Sequence, residues 1–170
     1  ELNNVTFDNN FKDRIALYAG GTSGSFMDNV TLTAQPGLEG YEIFSDDYGN
    51  DFTIPTSITL TVEPGVKVMP EDTGIRVQGH LAAIGTPTQP ITFTSITTDT
   101  NQWEGIVVDG GNTELTHTTI QHSQENGLSI LGGSVAARCS TVSDNLGSGI
   151  AVAPTAQGNV LLEYNSMVSN

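Results

Sequence analysis

Basic residues are scarce. Five lysines and arginines stand against 19 aspartates and glutamates, leaving a formal charge of −14. A surface so poor in cations repels the phosphates of nucleic acid and the headgroups of anionic lipid, which excludes both as partners. A single cysteine, Cys139, excludes a disulfide framework and a thiolate metal cluster. It sits among small and apolar residues, VAARCSTV, a setting that predicts a buried and inert thiol. No apolar run approaches the roughly 20 residues that span a bilayer, and the opening ELNNVTFDNN has no basic-then-apolar leader. No long segment carries the 3.6-residue apolar period of a helix. The chain nevertheless has 170 residues, of which 36% are hydrophobic, enough for a folded domain with a core.

What is present is repetition. TIQHSQENGLSI, starting at Thr119, matches TVSDNLGSGIAV, starting at Thr141, at a shift of 22 residues. TFDNNFKDRIAL, starting at Thr6, matches both, so that Ile15 aligns with Leu128 and Ile150 and Asn10 with Ser123 and Asn145. Pairs of a hydroxyl residue and an apolar residue extend the ladder: Thr6-Phe7, Thr31-Leu32, Thr59-Leu60, Thr92-Phe93, Thr119-Ile120, Thr141-Val142 and Ser166-Met167. Successive steps are 25, 28, 33, 27, 22 and 25 residues, the long one being either one large coil or two small ones. A second ladder reads Gly40-Tyr41, Gly65-Val66, Gly105-Ile106, Gly127-Leu128 and Gly149-Ile150. Two ladders imply at least two strands per repeat. Short alternating runs such as SITLTV and PITFTS are half-buried strands by composition and period. A unit this small cannot bury its own apolar face, so it must stack on its neighbours. The expected fold is all-β, a parallel β-helix (solenoid) of about seven or eight coils, with inward residues stacked roughly 4.8 Å apart along the axis.

The segment of residues 57–108 carries an EPG turn at Glu63, a GHLAAIGT run at Gly79, a PITFTS strand at Pro90 and a W-x-G-I at Trp103. With these marks it resembles the first coils of right-handed parallel β-helix domains similar to pectate lyase, especially those of large bacterial extracellular and surface proteins. The resemblance implies a right-handed coil and an extracellular or cell-surface location. It is specific for fold and says little of function, because lyases, hydrolases, adhesins and stalks share the architecture. Residues 1–44 read as the last coils of a preceding module, 45–56 as a polar junction, and 57–170 as fresh coils truncated at the C-terminus.

Each chemical-looking feature has a structural reading beside it. Asn10, Ser123, Asn145 and Asn170 recur where the coil must bend, as an asparagine ladder would. Asp144 is then an exposed turn residue. The loop SDDYGND places Asp46, Asp47, Asn50 and Asp51 together, the hard oxygens that calcium prefers, without matching a known calcium-loop pattern. Calcium is the one cofactor the sequence suggests. Trp103 is the candidate platform for a sugar ring. Asn4 and Asn29 head Asn-x-Thr sequons that a glycosylating host could modify. Threonine columns are too unevenly spaced for an ice-binding array. The five basic residues are scattered over different coils, unlike the cluster a uronate lyase needs. Asp109 and Glu104 are the nearest approach to a hydrolase pair. Alignment also predicts an ion pair between Arg138 and Glu163 on adjacent coils.

These readings lead to a non-catalytic extracellular structural or adhesive module: a stalk, adhesin or filament subunit. Its partners would be neighbouring modules or copies end to end, and polysaccharide. The alternative is a polysaccharide-binding or polysaccharide-degrading β-helix domain.

Overall fold

A computed structural model of the chain describes residues 10–19, 26–45, 51–96 and 103–170. All the regular structure is strand, and every strand pairing is parallel. Three strands open the stack: β1 (Arg14–Ala19), β2 (Val30–Leu32) and β3 (Gly40–Ser45). Then come the three-sided coils. The first is β4 (Phe52–Ile54), β5 (Thr59–Val62) and β6 (Lys67–Glu71), and the second is β7 (Ile75–Val77), β8 (His80–Ile84) and β9 (Ile91–Phe93). In the third, β10 (Ile106–Thr116) forms two sides and β11 (Thr118–Gln121) the last; the fourth repeats this with β12 (Leu128–Arg138) and β13 (Thr141–Ser143). The fifth is β14 (Ile150–Val152), β15 (Val160–Glu163) and β16 (Ser166–Val168).

The described residues therefore form a parallel β-solenoid of about five coils rather than seven or eight. Its third side is a seven-stranded sheet in the order β1-β3-β6-β9-β11-β13-β16. The other two sides are joined through the long strands β10 and β12. Inward columns run the length of the stack. One reads Ile15, Tyr41, Val68, Phe93, Ile120, Val142, Met167. Another reads Leu32, Val62, Ala83, Leu115, Ala137, Leu162. Each side chain sits on its equivalent one coil away, which is why alternation of apolar and polar residues is enough to specify the core. One polar member interrupts a column: the Thr113 hydroxyl is buried without a hydrogen-bond partner, between Leu81 and Val135.

Register corrects the ladders. Thr31 and Thr59 lie on the second side, in β2 and β5, whereas Thr92, Thr119, Thr141 and Ser166 lie on the third. The register partner of Thr92 is Lys67, not Thr59. The long step is thus one ordinary coil plus the passage from one side to the next. The glycine ladder slips in the same way: Gly40 opens a third-side strand and Gly65 comes just before another, while Gly105, Gly127 and Gly149 precede the first side. Ile15, too, pairs with Tyr41 on the third side and does not belong with Leu128 and Ile150, which are partners of each other. Across residues 45–56, β2 pairs with β5 and β3 with β6, and β4 within that segment buries Phe52 and Ile54.

The corner between the first and second sides is tight. Gly79, Gly111, Gly133 and Gly158 follow one another there, each carrying no Cβ because the carbonyl of the coil before occupies the space; at Gly111 a Cβ would meet the Gly79 oxygen at 2.5 Å. Among the described residues no helix is long and apolar enough to cross a membrane.

Candidate functional site

Charge gathers on the outward face of the first side. Asp51 enters just before β4, Arg76 is the outward residue of β7, Glu104 precedes β10, and Asp109 sits at its bulge. Phe52, Ile75 and Ile106 are register partners, which brings residues far apart in sequence onto adjacent rungs. The Arg76 guanidinium holds the Asp51 carboxylate with one terminal nitrogen and that of Asp109, at 3.1 Å, with the other. Gly74 makes room: a Cβ there would run into the Asp51 carboxylate and stand 3.3 Å from the Glu104 Cβ.

Glu104 is the member left without a cation of its own. Partial burial raises its carboxyl above the usual carboxylate range, the negative charges of Asp51 and Glu125 add to the rise, and Arg76 opposes it. A carboxyl whose folded-state proton affinity is raised contributes stability below the pH at which the unfolded group ionises. That contribution is lost as pH rises through the folded value. Glu104→Gln should therefore raise the urea midpoint at about pH 8 and leave it unchanged at about pH 3. An equal effect at both pH values would show that the amide acts through packing rather than charge.

Beneath this face lies Trp103. It is 0% exposed, and its indole N–H donates to the Gln121 carbonyl at 2.9 Å. A sugar platform needs an open ring face, and this ring is a rung of the core. Asp46, Asp47 and Asn50, and with them most of the expected calcium loop, lie outside the described residues, as does Asn4. Asp51, the described member, is taken up by Arg76. Among the described residues, no group of three or more His, Cys, Asp or Glu side chains is arranged to hold a metal ion. Asn29 is exposed, and its amide oxygen accepts from the Thr59 backbone N–H at 2.8 Å.

The asparagine column is present for Ser123, Asn145 and Asn170. The Asn145 side-chain oxygen accepts from the Ser123 N–H at 3.0 Å, and its nitrogen donates to the Asn170 side-chain oxygen at 2.8 Å. Asn10 is not part of it: it precedes β1 and binds the Asp13 carboxylate at 2.7 Å. Asp144 is exposed and in the left-handed region, φ 55°; its neighbours in the column, His122 and Ser169, share the left-handed backbone.

A second polar ladder escaped the sequence reading. Asn165 accepts from the Ser140 N–H at 3.0 Å and donates to the Ala137 carbonyl at 2.8 Å, and the Ser140 hydroxyl in turn accepts from the Thr118 N–H at 3.2 Å. These residues each follow a left-handed corner residue, His117, Cys139 or Tyr164. That alignment was readable; the residue after it held the signal. Cys139 itself is exposed at this corner, not buried, because the left-handed turn points its side chain outward. Arg138 and Glu163 are register partners and pair at 2.9 Å, both 44% exposed, so the pair contributes on the order of 0.5 kcal/mol.

The fold and this face together define a parallel β-solenoid whose polar groups are largely spent on one another from coil to coil. No family model matches the chain, and neither the curated proteins nor the solved structures contain a match.

Proposed function

We propose that the chain is a non-catalytic structural or adhesive module of a surface stalk, adhesin or filament, working outside the cell or on its surface. One observation carries this reading: the groups that look chemical in the sequence are used to join coil to coil. Asn145 and Asn170 bond each other, Asn165 bonds Ser140, Arg138 holds Glu163, and Arg76 holds Asp51 and Asp109. A stack of this kind is stiff along its axis, since each coil touches only its neighbours and is fixed by both. The resemblance of residues 57–108 to pectate-lyase-like surface domains favours the same location.

The alternative, a polysaccharide-binding or polysaccharide-degrading domain, draws on Glu104, a carboxyl with raised proton affinity beside ionisable Asp51 and Glu125. Incubation with a panel of acidic and neutral polysaccharides, with and without calcium, separates the two. No unsaturated product and no new reducing ends are expected. Turnover that disappears in Glu104→Gln would overturn the structural reading.

A further inference from the structure

The third side carries a nucleophile, a base and an acyl group within reach of one another. Thr94 follows β9 and Gln121 ends β11. Phe93 and Ile120 are inward register partners, so Thr94 and Gln121, the next residue of each strand, turn outward side by side on consecutive coils. The Thr94 hydroxyl oxygen stands 3.0 Å from His122 Nδ1, and the Gln121 side-chain nitrogen donates to it at 3.5 Å. With one side of the oxygen facing that N–H, the hydroxyl's own proton is directed to Nδ1, and His122 carries its proton on Nε2. A hydroxyl within hydrogen-bond reach of a base, with a carboxamide at its lone pair, is the arrangement of an activated nucleophile.

The surroundings hold the three residues in place. The Gln121 backbone carbonyl accepts from the Trp103 indole at 2.9 Å, which fixes the strand end from which its side chain leaves. His122 has φ 59°, and from that left-handed position its ring meets Thr94 one coil before. Thr94 is only 7% exposed, so water has little access to its oxygen. The Gln121 carbonyl carbon is bonded to the nitrogen that already meets Thr94, and rotation about the last side-chain torsion, which is broad for glutamine, turns the face of that carbon to the hydroxyl.

We propose that this is a self-modification site at which Thr94 and Gln121 join through an ester. The Thr94 oxygen attacks the Gln121 side-chain carbonyl carbon while His122 Nδ1 takes the hydroxyl proton. The tetrahedral intermediate collapses, the carbon–nitrogen bond breaks, and the proton held by His122 passes to the departing nitrogen, which leaves as ammonia. One C–O bond replaces one C–N bond, nothing is oxidised or reduced, and His122 ends as it began. The burial that keeps water from Thr94 also keeps it from the ester. The product ties the second coil to the third by a covalent bond across 27 residues of chain. The step occurs once per chain and turns over no outside substrate, so it goes beyond the structural reading without resting on it.

Intact-mass measurement on the whole chain, purified and then held at neutral pH for several days, is expected to show a species lighter by one ammonia. Digestion of the unfolded chain at its glutamates separates the two residues in an unlinked chain, because Glu104 and Glu114 lie between them. In the lighter species the fragment ending at Glu104 and the one beginning at Leu115 should stay joined, and mild alkali should part them, leaving a carboxylate at position 121. A succinimide at Asn126-Gly127 loses the same mass but joins no fragments. Thr94→Val should yield separate fragments and Thr94→Ser joined ones. His122→Asn, which suits the left-handed turn but offers no base, should cross-link at least about a hundredfold more slowly. A native chain that yields only separate fragments would overturn the proposal, as would joined fragments in Thr94→Val or a native rate in His122→Asn.

Discussion

Replacing Gly133 by alanine should cost about 3 kcal/mol or more. Gly133 has φ 86°, and a Cβ there would fall inside contact distance of the Gly111 carbonyl oxygen. The obstacle is backbone on the neighbouring coil, and no side chain can swing away. To admit the methyl, β10 and β12 would have to part at the corner. That movement disturbs the Gly133 N–H bond to the Gln157 oxygen, at 2.7 Å, and the Val135 N–H bond to the Asn159 oxygen, at 2.8 Å. Gly110 supplies the control. Its φ is 89°, yet a Cβ there would meet nothing within 4 Å. Gly110→Ala should therefore carry only the backbone strain, about 1 to 2 kcal/mol. Urea unfolding of both variants measures the difference, which is the cost of coil approach. Equal losses would mean that the corner is looser than its geometry.

Asn145→Ala is expected to lose about 2 to 4 kcal/mol. Asn145 is 3% exposed. Its removal leaves the Ser123 N–H without its acceptor and takes a donor from the Ile120 carbonyl and from Asn170. Water cannot reach buried partners to replace what is lost, so the desolvation cost is felt in full. Asn145→Asp separates the two halves of the amide. The carboxylate can still accept from Ser123 but has no proton to give to Ile120 or Asn170, and it meets their oxygens as a charge. Burial against those oxygens raises its proton affinity in the folded state, so this variant should be most stable in acid, below the unfolded carboxyl's range, and lose stability as pH rises. A variant whose midpoint does not depend on pH relative to the native chain would show that the site is wetter than the structure has it.

The two variants mark the boundary between what could be read and what could not. The ladder through Ser123, Asn145 and Asn170 was legible because its members fall at the same point of consecutive repeats, three residues after an apolar rung. The Arg138–Glu163 pair was legible for the same reason. Asn10 was misplaced, along with Ile15, because a repeat with three similar sides allows a match to slide from one side to the next while still pairing apolar residues with apolar residues. The Gly79, Gly111, Gly133, Gly158 corner was invisible: the chain has 19 glycines, and spacing does not show which of them face a backbone oxygen one coil away. The cluster at Arg76 was equally hidden, since Asp51, Arg76 and Asp109 become neighbours only when the register of β4, β7 and β10 is set.

By itself the sequence determined that the chain is all-β, that it is a stack of coils, and which residue types turn each coil. Those properties follow from local alternation and from a repeat too small to fold alone. Only the tertiary structure decided which side of the coil each strand occupies, how many coils are complete, and that Trp103 is inside while Cys139 is outside. These depend on register, and in a solenoid register is fixed by the contact of each coil with the next, at separations of 21 or more residues that no local pattern records.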